Sequence, residues 1–157
     1  AIHQANDRVW LVTPYFVPGE AARMALTSAA LRGLDVRVLV PARSDSLLVS
    51  AAARSYYDEL LAAGVRVFEY QPRMLHSKAL LVDGDTCIIG SANFDQRSFR
   101  LNFELSLLLH DAGLAGELER EIQASLGHCR EVRAGDPPGP PWRRLGDACA
   151  RLLSPLL

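Results

Sequence analysis

The stretch MLHSKALLVDGDTCIIGSANFDQRS, residues 74–98, decides how this chain folds. Residues 76–82 and 86–89 read as two strands, and Asp83-Gly84 between them is a strong tight-turn signal, so the pair is expected to form an antiparallel hairpin. Polar residues interrupt these runs at fixed places. His76 and Lys78 are two apart, so on a strand both point to one face. Ser91 and Asn93 are likewise two apart, on the far arm or just past it. If the arms pair, a single surface carries an imidazole, an ammonium, a hydroxyl and an amide.

The pattern upstream is different. VWLVTPYF, residues 9–16, reads as a strand stopped by Pro18-Gly19. Residues 20–32 are rich in Ala, Leu and Arg and close on Gly33 as a helix. DVRVLVP, residues 35–41, alternates as a second strand; Ser44-Asp45-Ser46 can cap a long helix running to Ala63, closed by Gly64; residues 65–70 form a third strand. Strand–helix–strand–helix–strand implies right-handed crossovers and a parallel core. Beyond the hairpin, residues 103–110 read as a strand and 114–126 as an amphipathic helix. The expected fold is α/β, a mixed sheet with helices on both faces. Residues 134–142, AGDPPGPPW, are too rich in Pro and Gly for regular structure. The chain therefore divides into a compact unit, residues 1–133, and a linker with a short C-terminal tail, residues 134–157.

The bulk numbers permit a globular domain and narrow its partners. The chain has 157 residues, 49% apolar and 22% charged, which is ordinary for one domain with a real core. A net charge of -1 supplies no field that would gather nucleic acid. Cys87, Cys129 and Cys149 are odd in number and lack CxxC spacing, so neither a disulfide framework nor a zinc site is indicated. No apolar run reaches the roughly 18 to 20 residues that span a bilayer.

The hairpin surface has the right groups for phosphoester chemistry without a metal or other cofactor. Imidazole can form a covalent phosphoryl intermediate, splitting one hard displacement into two easier ones. Lys78 and Asn93 would bind the substrate's non-bridging oxygens and stabilise charge building there, with Ser91 or the backbone near Gly90 as a further donor. A metal site from His76, Asp83 and His110 is disfavoured because Lys78 would repel the cation. Arg97 and Arg100 follow closely and could line an anionic groove or form a solvated edge. Trp142-Arg143-Arg144 and the end ARLLSPLL could rest at a membrane interface or pack on the protein.

HSKALLVD also matches the H-x-K-x4-D signature of the phospholipase D superfamily, on His76, Lys78 and Asp83, and GSANFDQRS matches the Gly-Ser-x-Asn element that follows it. The chain resembles still more closely the C-terminal catalytic half of bacterial cardiolipin synthases, in TPYFVP (13–18), the segment 52–72 and ANFDQRSFRLNFE (92–104). The resemblance implies a phospholipase D-like fold, one of two pseudo-symmetric units. It implies catalytic positions at His76, Lys78, Asp83 and Glu104 and substrate-binding positions at Lys78, Ser91 and Asn93. His76 would be the nucleophile or its acid/base partner, and Glu104 would accept a hydrogen bond from the second nitrogen of His76. Asp83 lies seven positions from His76, an odd offset that aims it at the other face, so it reads as structural within the signature.

The implied reaction is phosphatidyl transfer through phosphohistidine: cardiolipin from two phosphatidylglycerols, with release of glycerol. Superfamily members bring two His-x-Lys motifs together, one histidine attacking and the other protonating the leaving oxygen. Here there is one, since His3, His110 and His128 lack the following Lys. The expected partner is a second His-x-Lys unit, either on a missing N-terminal half or on a symmetric copy. A membrane surface is a further expected partner, and the bacterial cell membrane the expected location, through segments outside this sequence. The alternatives are a phospholipase D-type hydrolase, a dimeric DNA phosphodiesterase and a non-catalytic module.

Overall fold

The computed structural model describes residues 1–136 and 139–154. After a 3-10 turn at Ile2–Gln4 the chain runs β1 (Arg8–Val12), β2 (Phe16–Val17), α1 (Glu20–Leu31), β3 (Asp35–Pro41), α2 (Leu47–Arg54), α3 (Tyr57–Ala62) and β4 (Arg66–Tyr70). It continues through β5 (Ala79–Val82), β6 (Thr86–Gly90), β7 (Phe94–Asp95), α4 (Gln96–Arg100), β8 (Ser106–His110), α5 (Ala112–Leu126), β9 (Cys129–Val132) and α6 (Pro141–Leu152).

Seven strands form one mixed sheet in the order β8-β6-β5-β1-β3-β4-β9, and β2 pairs with β7 separately. β1, β3 and β4 are parallel, as crossovers through α1 and the α2–α3 pair require. β5 adds antiparallel to the free side of β1, and β6 and β8 follow antiparallel. The central strand is apolar on both faces because both are covered. Val9 and Leu11 enter a core with Leu26, Ala52, Leu60 and Ala150, from α1, α2, α3 and α6. Trp10 and Val12 enter a second core with Ala115 and Ile122 of α5. Helices thus lie on both faces, as the sequence pattern predicts.

Several boundaries differ from expectation. The strand expected over 9–16 breaks after Val12: the Thr13 hydroxyl donates to the Tyr15 carbonyl at 2.7 Å, and Pro14 has no N–H to continue a ladder. Phe16 and Val17 therefore leave the main sheet to pair with Phe94 and Asp95. The helix expected from 46 to 63 is two. Ser46 caps α2 by accepting the Val49 N–H, but Ser55 and Tyr56 separate the helices. There the Ser55 hydroxyl donates to the Ala52 carbonyl at 2.6 Å, and Tyr56 and Tyr57 turn into the core.

The strand expected over 76–82 begins only at Ala79, whose partner on β1 is Val12, where that ladder ends. His76 and Lys78 lie on the extended approach to β5 instead. The strand expected over 103–110 begins at Ser106, because the residues before it wrap around Ser91. β9 was not expected at all; CREV is too short and too polar to stand out. Of the 134–142 segment, Pro141 and Trp142 open α6, with Pro at a position where its missing N–H costs nothing. Residues 137–138 and the 155–157 end of the tail lie outside the described residues. Among the described residues no helix is long and apolar enough to cross a membrane.

Candidate functional site

The hairpin delivers the site. At the turn, Asp83 adopts φ +54°, a left-handed conformation that Asp tolerates better than most residues. Its carboxylate accepts the backbone N–H groups of Asn6, Asp7 and Arg8 at 2.9 to 3.2 Å, and its carbonyl accepts Arg8 Nε at 2.8 Å. Partial burial pushes this carboxyl up, but the three N–H groups and the Arg8 guanidinium outweigh it and hold it below the ordinary Asp value. Asp83 sits at the turn end of β5, with Thr86 and His110, whose side chains lie 3.0 Å apart. His76 and Lys78 sit at the other end, so His76, Asp83 and His110 are not brought together.

At that other end, β6 finishes on Gly90. Its N–H donates to the Lys78 carbonyl at 3.3 Å, and Ser91 N–H donates to the Leu105 carbonyl at 2.9 Å. Gly90 is required by close approach: a Cβ there would lie 2.5 Å from Ser106 Oγ and 2.7 Å from Ser106 Cα, and would run into the Leu105 carbonyl oxygen.

Glu104 is the hub of the polar network. Its carboxylate accepts the Ser91 hydroxyl, Asn102 Nδ2 at 3.1 Å and the Ser98 hydroxyl at 3.4 Å. The Ser91 and Asn102 bonds, then Ser98 and the nearby Lys78 ammonium, outweigh desolvation and hold Glu104 below the ordinary Glu value. Glu104 is therefore an anion at neutral pH. The orienting bond expected from His76 to Glu104 is not made: among the described residues Glu104 takes the three donors just named, and the exposed His76 ring makes no hydrogen bond. Ser91 and Asn102, both on the wrapping segments, reach the carboxylate first.

Lys78 and Asn93 meet at a cleft of about 130 Å³, lined otherwise mainly by apolar residues such as Leu11, Leu80, Ile88, Phe94 and Phe99. Lys78 Nζ donates to the His76 carbonyl at 3.0 Å, which ties the two signature residues together through the backbone. Asn93 Oδ1 is buried with no hydrogen-bond partner among the described residues. Such a group costs about 1–3 kcal/mol unless something binds it.

Two residues escape a reading of the signature. Ser98 is buried; it accepts the Asn93 N–H at 3.1 Å, donates to Glu104, and is held by the Asp95 carboxylate on its own N–H at 2.7 Å. Thr13 is buried too, and its hydroxyl accepts the Phe94 N–H at 3.0 Å. Asp95 followed three residues later by Ser98 is the spacing of a helix cap, a signal that could have flagged the first. Nothing in the sequence flags the second. Arg97 and Arg100 are exposed on α4.

The comparisons agree with this geometry. Residues 1–126 match the model of the family described as "Cardiolipin synthase, PLD-like domain". The chain is 50% identical over 158 aligned positions to cardiolipin synthase A of Pseudomonas putida, covering all of this chain and 33% of the relative. It is 48% identical to the Pseudomonas aeruginosa protein of the same name over 99% of the chain and 32% of that relative. The chain thus spans about a third of the length of these curated relatives. Among solved structures, the phospholipase D family member Nuc from Salmonella typhimurium superposes with TM-score 0.75 at 24% identity, over 85% of this chain and 87% of that one. Phosphatidylserine synthase from Haemophilus influenzae gives TM-score 0.76 at 16% identity, over 98% and 42%. The chain belongs to the phospholipase D-like domain family of the cardiolipin synthases.

Proposed function

We propose that this chain is a catalytic unit of a phosphatidyltransferase that makes cardiolipin from two phosphatidylglycerols. The observation that carries the reading is the cleft beside His76, where the chain's sole lysine and the unpaired Asn93 amide converge. Both are groups that a phosphodiester's non-bridging oxygens would satisfy. His76 attacks phosphorus; the N–P bond forms as the bond from phosphorus to the glycerol oxygen breaks, and glycerol leaves with a proton from the second histidine. The glycerol hydroxyl of another phosphatidylglycerol then attacks phosphorus, the N–P bond breaks, and that hydroxyl's proton returns to the second histidine. Glu104, held anionic, would balance positive charge around Lys78 and set the position of Ser91. Asp83 would act at a distance, by fastening the hairpin.

The second histidine would come from another His-x-Lys unit. The β8 edge and the segment before it suit such a neighbour: Leu101, Phe103, Leu105, Leu107 and Leu108 are all exposed beside the site. The proposed location is the bacterial cell membrane.

The test is conversion of phosphatidylglycerol in mixed micelles across a wide range of chain concentration, with phosphorus-labelled lipid to trap an acid-labile adduct on His76. Cardiolipin and glycerol forming at a rate that rises with the square of concentration would support a symmetric pair. Activity appearing only when a second His-x-Lys unit is added would support two different units. The absence of both product and adduct in each arrangement, from folded protein, would sink the proposal.

A further inference from the structure

Helix α6 packs on the protein with the wrong face for an ordinary surface helix. Its contacts with the body are polar: Asp147 receives a bidentate bond from Arg54 at 2.7 and 3.2 Å, and Arg151 reaches Glu59 at 3.0 Å and the Ser55 carbonyl at 2.9 Å. The Arg151 guanidinium also lies over the Tyr56 ring, and of the helix's side chains Ala150 alone is buried. The apolar residues face away. Trp142, Leu145, Cys149 and Leu152 recur at spacings of three, four and three residues, which places them on one stripe of an α-helix. Trp142 is 74% exposed, Leu145 67% and Leu152 81%. Ordinary burial would turn this stripe inward, so the helix is arranged to present it.

Two further observations say what covers it. Arg143 and Arg144 beside the stripe are exposed and make no ion pair among the described residues; the same holds for Arg97 and Arg100 on α4. The end of α6 also reaches α4: Gln96 Nε2 donates to the Ser154 carbonyl at 3.5 Å. The stripe therefore runs toward exposed Phe99 and Leu101, the apolar rim of the cleft that holds Lys78 and Asn93. Apolar side chains headed by Trp, flanked by unpaired arginines and continuous with a site rim, suit the headgroup boundary of an anionic bilayer.

We propose that α6 is an interfacial docking helix: its Trp142–Leu145–Leu152 stripe enters an anionic lipid surface while Arg143 and Arg144 engage the headgroups. Asp147 and Arg151 hold the helix to the body so that docking turns the cleft toward the bilayer. Only that last orientation rests on the proposed reaction; docking itself is measured without turnover.

The test uses vesicles of phosphatidylcholine alone or mixed with phosphatidylserine, which is not the proposed substrate. Trp10 is 2% exposed and supplies a constant background, so a blue shift of emission reports Trp142. The expected result is co-sedimentation and a blue shift with the mixed vesicles, both weakened by salt. A cation near an anionic surface contributes about a fivefold change in partition. Arg143→Ser with Arg144→Ser should therefore lower binding by up to about 25-fold. Leu145→Ser with Leu152→Ser should weaken it on both kinds of vesicle, with an unchanged melting temperature because both side chains are already in solvent. His76→Ala should bind as the parent does. Unshifted emission with no co-sedimentation overturns the proposal. So does a shift that needs only higher protein concentration, since a second copy would then cover the stripe, and so does binding that disappears in His76→Ala, since the cleft would then be the attachment.

Discussion

Gly90→Ala tests whether the site depends on the contact between β6 and β8. A Cβ at this position would lie 2.7 Å from Ser106 Cα and would overlap the Leu105 carbonyl, both backbone atoms, so no side-chain rotation relieves it. To restore ordinary contact at 3.4 Å, β8 must retreat by about 0.7 Å. That movement stretches the bonds from Gly90 to Lys78 and from Ser91 to Leu105, and drags Glu104 with it. Overpacking of this kind costs about 1–3 kcal/mol, and a weakened backbone bond adds about 1 kcal/mol. A displacement approaching 1 Å at a reacting site costs roughly 100-fold in rate. The natural control is Gly84→Ala in the hairpin turn, where the nearest atom is the flexible tip of Arg8 at 3.6 Å. Urea denaturation followed by circular dichroism should put Gly90→Ala about 2–4 kcal/mol below the parent and Gly84→Ala within about 0.5 kcal/mol. If the two variants melt together, or if Gly90→Ala is destabilised yet turns over at the parental rate, β8 does not position the site.

Asp83→Asn keeps the shape of the turn but removes the anion from three N–H groups, and should cost about 1–3 kcal/mol by denaturation. Because the folded carboxyl titrates below its unfolded value, this stabilisation is present above the unfolded value and lost as pH falls through the folded one. The stability difference between parent and variant should therefore shrink on acidification, and a constant difference would contradict the assignment. Ser91→Ala removes the leading cause of the low Glu104 titration, so a carboxyl-detected NMR titration should move Glu104 toward its ordinary value. No movement would mean that Ser91 and Glu104 are not bonded in solution. Asp147→Asn should free α6 from Arg54, seen as faster amide exchange over Pro141–Leu152 with β1 unaffected. Cys149 is exposed, Cys87 is buried, and burial pushes the Cys129 thiol up to about 11, so one thiol per chain should react quickly with a disulfide reagent at neutral pH.

The signals that reached the sequence were periodic or local. Alternating apolar residues around Val9, Val36 and Val67 announced the parallel core, and Asp83-Gly84 announced the hairpin. The chain hid what depended on tertiary partners. Where β1 stops is set by the Thr13 hydroxyl, and that in turn leaves His76 and Lys78 outside the sheet. Ser98 holds the site together from inside a helix cap, which in sequence looks like any other cap. For α6 the pattern announced an amphipathic segment but not which face would meet the body, because ion pairs to Arg54 and Glu59 reverse the usual choice. Asp83 shows the opposite case. Its odd offset from His76 was enough to separate it from the residues at the other end of β5, and the structure supplies the N–H groups that occupy it.

The position of β1 bears on how the molecule is assembled. Its two neighbours, β3 and β5, come from widely separated parts of the chain, and the Asp83 carboxylate closes the same long loop again at Asn6 to Arg8. The first five elements can collapse early around local crossovers, but the hairpin must wait until it finds the outer edge of β1. The catalytic loop set therefore forms last and depends on one long-range pairing. A chain cut in the exposed approach between β4 and β5 would yield two fragments with a shared central seam, able to find each other and restore the site together.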